Sequence, residues 1–410
     1  MRDDDSTLVH ATFKWWVLGG LWFLYASFGL IVTSIAPLVL PIEHALGMSH
    51  AAMGSVMGAW QLVYIFSAIP CGVLLDRIGG HKALVLGALL IGISALGRGI
   101  ASDYWGFLFA VMVFGLGGPI ISSGAPKVVA QLFQGSQRGL AMGIYMTGPA
   151  LGGVVCLTMT HSVLLPAFDM QWRMVMFLWG GVAILAGLIW WLIGWPANLK
   201  SDTTGEVPKP QLEVMGSLIA EPAVRILLLM SVGVFLYNHG LNNWLPQLLE
   251  NNGFSEVEAG LWAALPTVVG IVGSLLIPRL ATGQRRFTIL LWLWVAAMFA
   301  SMLLHFEDER ILAAGLILQG IARSSLMTVL ILTLVELPGV GEHRAGVASG
   351  MFFSAAEIGG VLGPLGLGVV YDLSGGFTWS LYTLTGVSLA MLLATRYLQH
   401  LALRSRRQAF

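Results

Sequence analysis

The chain has 410 residues, of which 57% are hydrophobic and only 10% charged, and its 21 basic side chains balance 21 acidic ones. A soluble domain carries about 25% charged residues, so a water-solvated globule is excluded and lipid is the main solvent. Zero net charge gives no sign of nucleic-acid binding, and two cysteines cannot build a disulfide framework.

A spanning helix needs about 20 mostly apolar residues. Six runs meet that length in the first half, at 15–39, 50–74, 83–101, 104–130, 139–165 and 172–195. Six more follow a polar break at 196–222, at 223–246, 255–280, 287–305, 311–335, 344–371 and 377–400. The runs are solid, so an alternating membrane β-barrel pattern is excluded. Span 1 is too long for a cleaved signal, and the acidic start "MRDDD" lacks a signal's basic first region.

Between spans 2 and 3 lies "GVLLDRIGGHKAL" (72–84), which packs Asp76, Arg77, His81 and Lys82 between apolar runs. Small Gly72 is suited to close helix approach. Arg98 and Lys127 sit near span ends, where long basic side chains reach the headgroups. Span 4 carries Ser122 and Ser123, which can bond back to their own helix. Span 5 carries "GPALGG" (148–153), where Pro149 bends the helix and the glycines allow tight packing. Trp15, Trp16, Trp190, Trp191 and Trp195 fall at span ends as interfacial anchors. Cys71 and Cys156 lie within spans and read as small apolar packers.

Pro and charge make 196–222 a linker, not a span. Span 7 then offers Tyr237, Asn238, His239, Asn242, Asn243 and Trp244. With Gly240 and Pro246 nearby, this helix is expected to break locally and expose backbone. Two charges lie deep in spans: Arg323 in span 10, with Gln319 four residues earlier on the same face, and Glu357 in span 11. An ionisable group at the bilayer centre costs about 3 kcal/mol or more, so each marks a functional candidate. A contact between them is expected; the plainer reading is a salt bridge that only holds the two helices together. The chain ends in the basic tail "RSRRQAF".

Lys and Arg set the orientation. With a cytoplasmic N-terminus, seventeen lie inside and only Arg98, Arg173 and Arg310 lie outside, Arg323 being within a helix. Both termini are therefore expected to be cytoplasmic. The halves also repeat at an offset near 206. "GMSHAAMG" (47–54) matches "GFSEVEAG" (253–260), "LYASFGL" (24–30) matches "LYNHGL" (236–241), and Arg138 matches Arg344. Tyr25 thus takes the repeat-matched place of Tyr237. Equal topology in both halves means a parallel repeat.

Gly72, Leu74, Asp76, Arg77 and Gly79 fit G-x-L-x-D-R-x-G-x-x-K, which resembles the loop signature of the major facilitator superfamily. The resemblance spans the chain. Its counterpart after span 8, "IPRLATGQRR" (277–286), has lost the acid. "GPALGG" resembles a second signature, associated in the family with proton-coupled antiporters. A helix-4 arginine usual in the family is replaced by Val111. The stretches 124–143 and 242–260 look similar to small-anion transporters of the cyanate-transporter-like branch.

The resemblance implies an all-α membrane fold of twelve helices in two pseudo-symmetric six-helix bundles, 1–195 and 223–410, joined by a cytoplasmic linker at 196–222. It implies a conformational latch at Gly72, Asp76 and Arg77, with Asp76 pairing to the other half. It also places helices 1, 4, 7 and 10 around a central cavity. Arg323, Tyr25, Tyr237, Asn238, His239, Asn242 and Gln319 would then bind substrate, and guanidinium favours an anion. Glu357 would couple a proton, its charge balance shifting as substrate competes for Arg323. The expected protein is a monomeric secondary transporter in the cell membrane, not an enzyme, with no cofactor or metal. It moves a small organic or inorganic anion with protons by alternating access. The alternative is a proton-driven antiporter that exports a hydrophobic or cationic compound; against it, no acid stands within the first six expected spans.

Overall fold

The computed structural model describes residues 2–194, 211–283, 285–337 and 339–408, and among them all regular structure is helical. In chain order the helices are α1 (Arg2–Thr33), α2 (Val39–Leu46), α3 (His50–Ile100), α4 (Tyr104–Leu132), α5 (Gly135–Met159), α6 (Leu165–Ala167) and α7 (Trp172–Gly194). Then come α8 (Gln211–Ala220), α9 (Pro222–Asn251), α10 (Glu256–Leu280), α11 (Arg285–Leu303), α12 (Glu309–Val335), α13 (Gly341–Ser374) and α14 (Thr378–Gln408).

Among the described residues, eleven helical stretches are long and apolar enough to cross a membrane. One of them, α3, has 51 residues. Its length of about 75 Å is more than twice the roughly 30 Å of a hydrocarbon core. It is broken at Gly79 (φ 81°, ψ 157°), a conformation essentially confined to glycine. The motif glycine therefore turns α3 into two crossings, and the twelve expected spans are present.

Local chemistry sets the other boundaries. Asp103 caps α4 through the Gly106 amide at 2.7 Å, and Asp308 caps α12 through the amides of Arg310 and Ile311. The repeat match Gly47/Ser49 and Gly253/Ser255 is a stop-and-start signal. Both glycines have positive φ, and each serine hydroxyl accepts an amide at the start of the next helix. Span 1 runs further than its expected end at 39: a 3₁₀ turn at Ala36–Leu38 leads into α2, and the apolar stretch covers Phe13–Leu46. The second part of the expected linker is helical, as α8. Residues 195–210, with Trp195, Lys200 and Lys209, lie outside the described residues, as do the last two of the basic tail.

The chain divides into two compact units. Unit 1 holds Met1–Met48 and Ala59–Gly205, and unit 2 holds Ser49–Gly58 and Glu206–Phe410. Each unit has a matching seam of close backbone contact. In unit 1 a Cβ on Gly29 or Gly152 would run into the backbone of Pro149 or Ala26. In unit 2 a Cβ on Gly359 or Gly363 would run into the backbone of Val232 or Leu236. "GPALGG" is thus the α1–α5 packing surface, and α9–α13 repeats it.

Several expectations need correction. Gly72 has nothing within 4 Å of where its Cβ would be, so it allows no close approach. Trp190 is fully buried and donates to the His81 carbonyl at 3.1 Å, so it is no interfacial anchor, whereas Trp16 and Trp191 are exposed. Arg98 does not reach toward headgroups; it is 1% exposed inside unit 1. Lys127 instead donates to Asp76 at 2.7 Å.

Candidate functional site

In unit 2, α9 and α12 present polar residues one helical turn apart. Asn238 and Asn242 face Gln319 and Arg323 across an antiparallel seam. The Asn238 amide donates to the Arg323 carbonyl at 3.3 Å, and the Gln319 amide donates to Asn242 Oδ1 at 3.3 Å. Two acceptors remain over: the side-chain oxygens of Asn238 and Gln319 are buried without a hydrogen-bond partner among the described residues, which is rare for buried polar atoms.

Arg323 lies near the middle of α12 and is half-buried. Its guanidinium donates once, to Thr267 Oγ1 on α10 at 3.1 Å. Among the described residues no carboxylate pairs with it, so the expected contact with Glu357 is absent. A planar group with five N–H donors thus has most of its capacity for a carboxylate unused. Thr267 was missed from sequence; a hydroxyl beside Pro266 inside an apolar span was the available signal.

Glu357 is buried, 6% exposed, near the middle of α13, and its Oε2 has no hydrogen-bond partner. Direct competition between Glu357 and substrate for Arg323 therefore finds no starting geometry. His239 is half-buried, packs on Phe235 at 5.1 Å between ring centroids and lies within electrostatic reach of Arg323.

Tyr237 does not join this group. It is fully buried and donates to the Ala297 carbonyl of α11 at 2.9 Å. The expected break in span 7 is also absent, because α9 runs unbroken with Pro246 inside it. Asn243 bonds back to the His239 carbonyl. Trp244 is spent on packing: it donates to the Pro364 carbonyl and stacks on His50 at 5.3 Å.

In unit 1, Tyr25 is half-buried and stacks on Tyr145 at 5.5 Å between centroids. Glu43, beyond the expected end of span 1, is a buried carboxyl inside the observed Phe13–Leu46 stretch. The premise that no acid stands within these spans is therefore corrected; the span was ended too early. Arg98 donates to the Ile31 carbonyl and Ser34 Oγ, each at 3.0 Å, and to Ser94 Oγ at 3.2 Å. It thus places a cation against the last carbonyls of α1, where the helix dipole is negative.

At the loop between the two halves of α3, Asp76 is exposed and pairs with Lys127 of α4 within unit 1. Arg77 is exposed too. His81 Nε2 donates to the Trp191 carbonyl at 3.0 Å. Cys71 and Cys156 are free and buried.

A family model described as Major Facilitator Superfamily matches residues 21–306 and 227–408. An uncharacterized transporter of Bacillus subtilis, YycB, is 25% identical over 382 residues, 92% of each chain. A quinolone resistance transporter of Acinetobacter baumannii is 24% identical, with 85% of each chain covered. A probable galactarate/D-glucarate transporter of Bacillus subtilis, GudP, is 24% identical over 86% of this chain and 84% of its own. Among solved structures, a mutant of the nucleoside transporter NupG superposes with a TM-score of 0.80 at 13% identity, over 93% of this chain and 99% of that one; at that identity it supports the fold alone.

Proposed function

The chain belongs to the Major Facilitator Superfamily, and on that premise we propose that this multi-pass transporter moves a small organic anion bound through Arg323. One observation carries the reading. A guanidinium in the middle of a spanning helix makes a single side-chain hydrogen bond, to neutral Thr267, and has no carboxylate partner among the described residues. A charge at that depth is costly unless something anionic meets it. The unmatched oxygens of Asn238 and Gln319 would take hydroxyl or amide donors of the same substrate. A relative named for galactarate and D-glucarate makes carboxylates the first class to try.

Proton symport fits this arrangement through Glu357, a buried carboxyl in α13 that pairs with no basic side chain among the described residues. Alternating access would then carry anion and proton together. The excess of Lys and Arg on one set of loops supports a topology with both termini in the cytoplasm.

A second reading has one observation in its favour. Glu43 gives unit 1 a buried carboxyl, suited to a cationic compound, and one relative is named for quinolone resistance. Reconstitution separates the two. Proteoliposomes with an imposed pH gradient should accumulate carboxylates such as D-glucarate or 3-phenylpropionate. Arg323→Ala abolishes that uptake and Arg323→Lys weakens it. Glu357→Gln removes accumulation driven by the gradient and leaves anion exchange. Wild-type uptake rates in Arg323→Ala would end the proposal, and Glu43-dependent export of a cation would install the second reading.

A further inference from the structure

The guanidinium nitrogens of Arg323 differ in their surroundings. Nη1 donates to Thr267 Oγ1 at 3.1 Å. Nε and Nη2 make no hydrogen bond among the described residues, and neither atom is sealed from solvent. The Thr267 bond forms where α10 and α12 are pressed together. Thr267 follows Pro266, and a Cβ on Gly320, about one turn before Arg323, would run into the Pro266 backbone. About one turn further along α10, Gly270 lies against Ser324. The two backbones are thus held in register on either side of the bond, so the threonine hydroxyl meets the guanidinium at a fixed place. All of these residues lie within unit 2.

We propose that Thr267 is a positioning residue: by holding Nη1 it leaves the Nε–Nη2 edge of Arg323 as a fixed two-toothed receptor, which makes the transported anion a carboxylate rather than a linear or spherical ion. This rests on the transport reading above. The parallel N–H groups of one guanidinium edge fit the two oxygens of a carboxylate. A linear or spherical anion accepts from that edge at one point and gains little from its orientation. Ordering a long arginine side chain costs conformational freedom, and the bond to Thr267 removes part of that freedom before the anion arrives. A hydroxyl accepts from Nη1 without neutralising the cation, whereas an acid in its place would compete with the substrate.

Calorimetric titration of the purified full chain with D-glucarate, 3-phenylpropionate and thiocyanate tests this. Wild type should bind at least one of the two carboxylates more tightly than thiocyanate. Thr267→Val keeps the shape and loses the hydroxyl. It should lower that carboxylate's affinity by roughly three- to tenfold, the size of one hydrogen bond, and thiocyanate's by less. Thr267→Ser keeps the hydroxyl and should keep wild-type affinities. If Thr267→Val does not fold, Thr267→Ala is read in the same way. Where thiocyanate does not bind, recovery in Thr267→Ser is the deciding readout. Unchanged carboxylate affinity in Thr267→Val, equal losses for both kinds of anion, no recovery in Thr267→Ser, or a wild-type preference for thiocyanate overturns the positioning role alone. Neither carboxylate binding to wild type overturns the transport reading with it.

Discussion

Arg98 of unit 1 and Arg323 of unit 2 both lie within long apolar helical stretches, and the two are held differently. Arg98 of unit 1 is sealed at a helix end and donates three hydrogen bonds, to a backbone carbonyl and two serine hydroxyls. Arg323 of unit 2 is half-buried at mid-helix and donates one. A cation that caps a helix is part of the fold. A cation left with spare donors in the middle of a span costs stability, and such groups persist where function requires them. On the proposed reading, the number of acceptors around a guanidinium, more than its depth, separates a structural cation from one that binds substrate.

Substitutions can break that contrast. Arg98→Met should cost about 2–4 kcal/mol, because the Ile31 carbonyl and two hydroxyls each lose one donor in a sealed site. Arg323→Met should change stability by no more than about 1 kcal/mol, since one hydrogen bond is lost and a costly charge is removed. Thermal unfolding of the purified variants compares them, and equal losses would erase the distinction.

The loop glycines sharpen the comparison at a smaller scale. Gly79→Ala forces a side chain into a glycine-only conformation and should cost about 1–3 kcal/mol. Gly283 has φ 52°, a left-handed value that other residues reach at lower cost. Gly283→Ala should therefore cost about 1 kcal/mol. The smallest effect belongs to the loop ion pairs. Exchanging the charges as Asp76→Lys with Lys127→Asp should restore most of what either single change removes, a total under about 1 kcal/mol at such exposed sites.

That last expectation comes from unit 2. The sequence there reads as a loop that lost its acid. Yet Arg286 at the start of α11 pairs with Glu336 just past α12 at 2.6 Å. In unit 1 the acid stands on the loop and the base on the following hairpin's far helix; in unit 2 the signs are reversed. A motif fixes which residue type stands where, so a swapped pair reads as a loss. Twelve spans, the tight turn at Gly79 and the two glycine seams were legible, because length, hydropathy and glycine spacing are local properties. Helical spacing put Gln319 and Arg323 on one face, but their meeting with Asn238 and Asn242 was not legible in it. What was not legible depended on distant partners: Thr267 for Arg323, Asp76 for Lys127, and the Ala297 carbonyl that takes up Tyr237. Glu43 and Arg98 were misread because span ends were drawn from hydropathy, which does not see a polar group enclosed by neighbouring helices.

The central claim concerns Arg323, and its melting behaviour tests it most directly. A ligand that binds only the folded state stabilises it by about 2.7 kcal/mol at a hundredfold excess over Kd. Wild type should therefore melt at steadily higher temperature as a carboxylate ligand is raised, Arg323→Lys less so, and Arg323→Ala not at all. The same rise in wild type and Arg323→Ala would show that the anion binds elsewhere, and the account would be wrong.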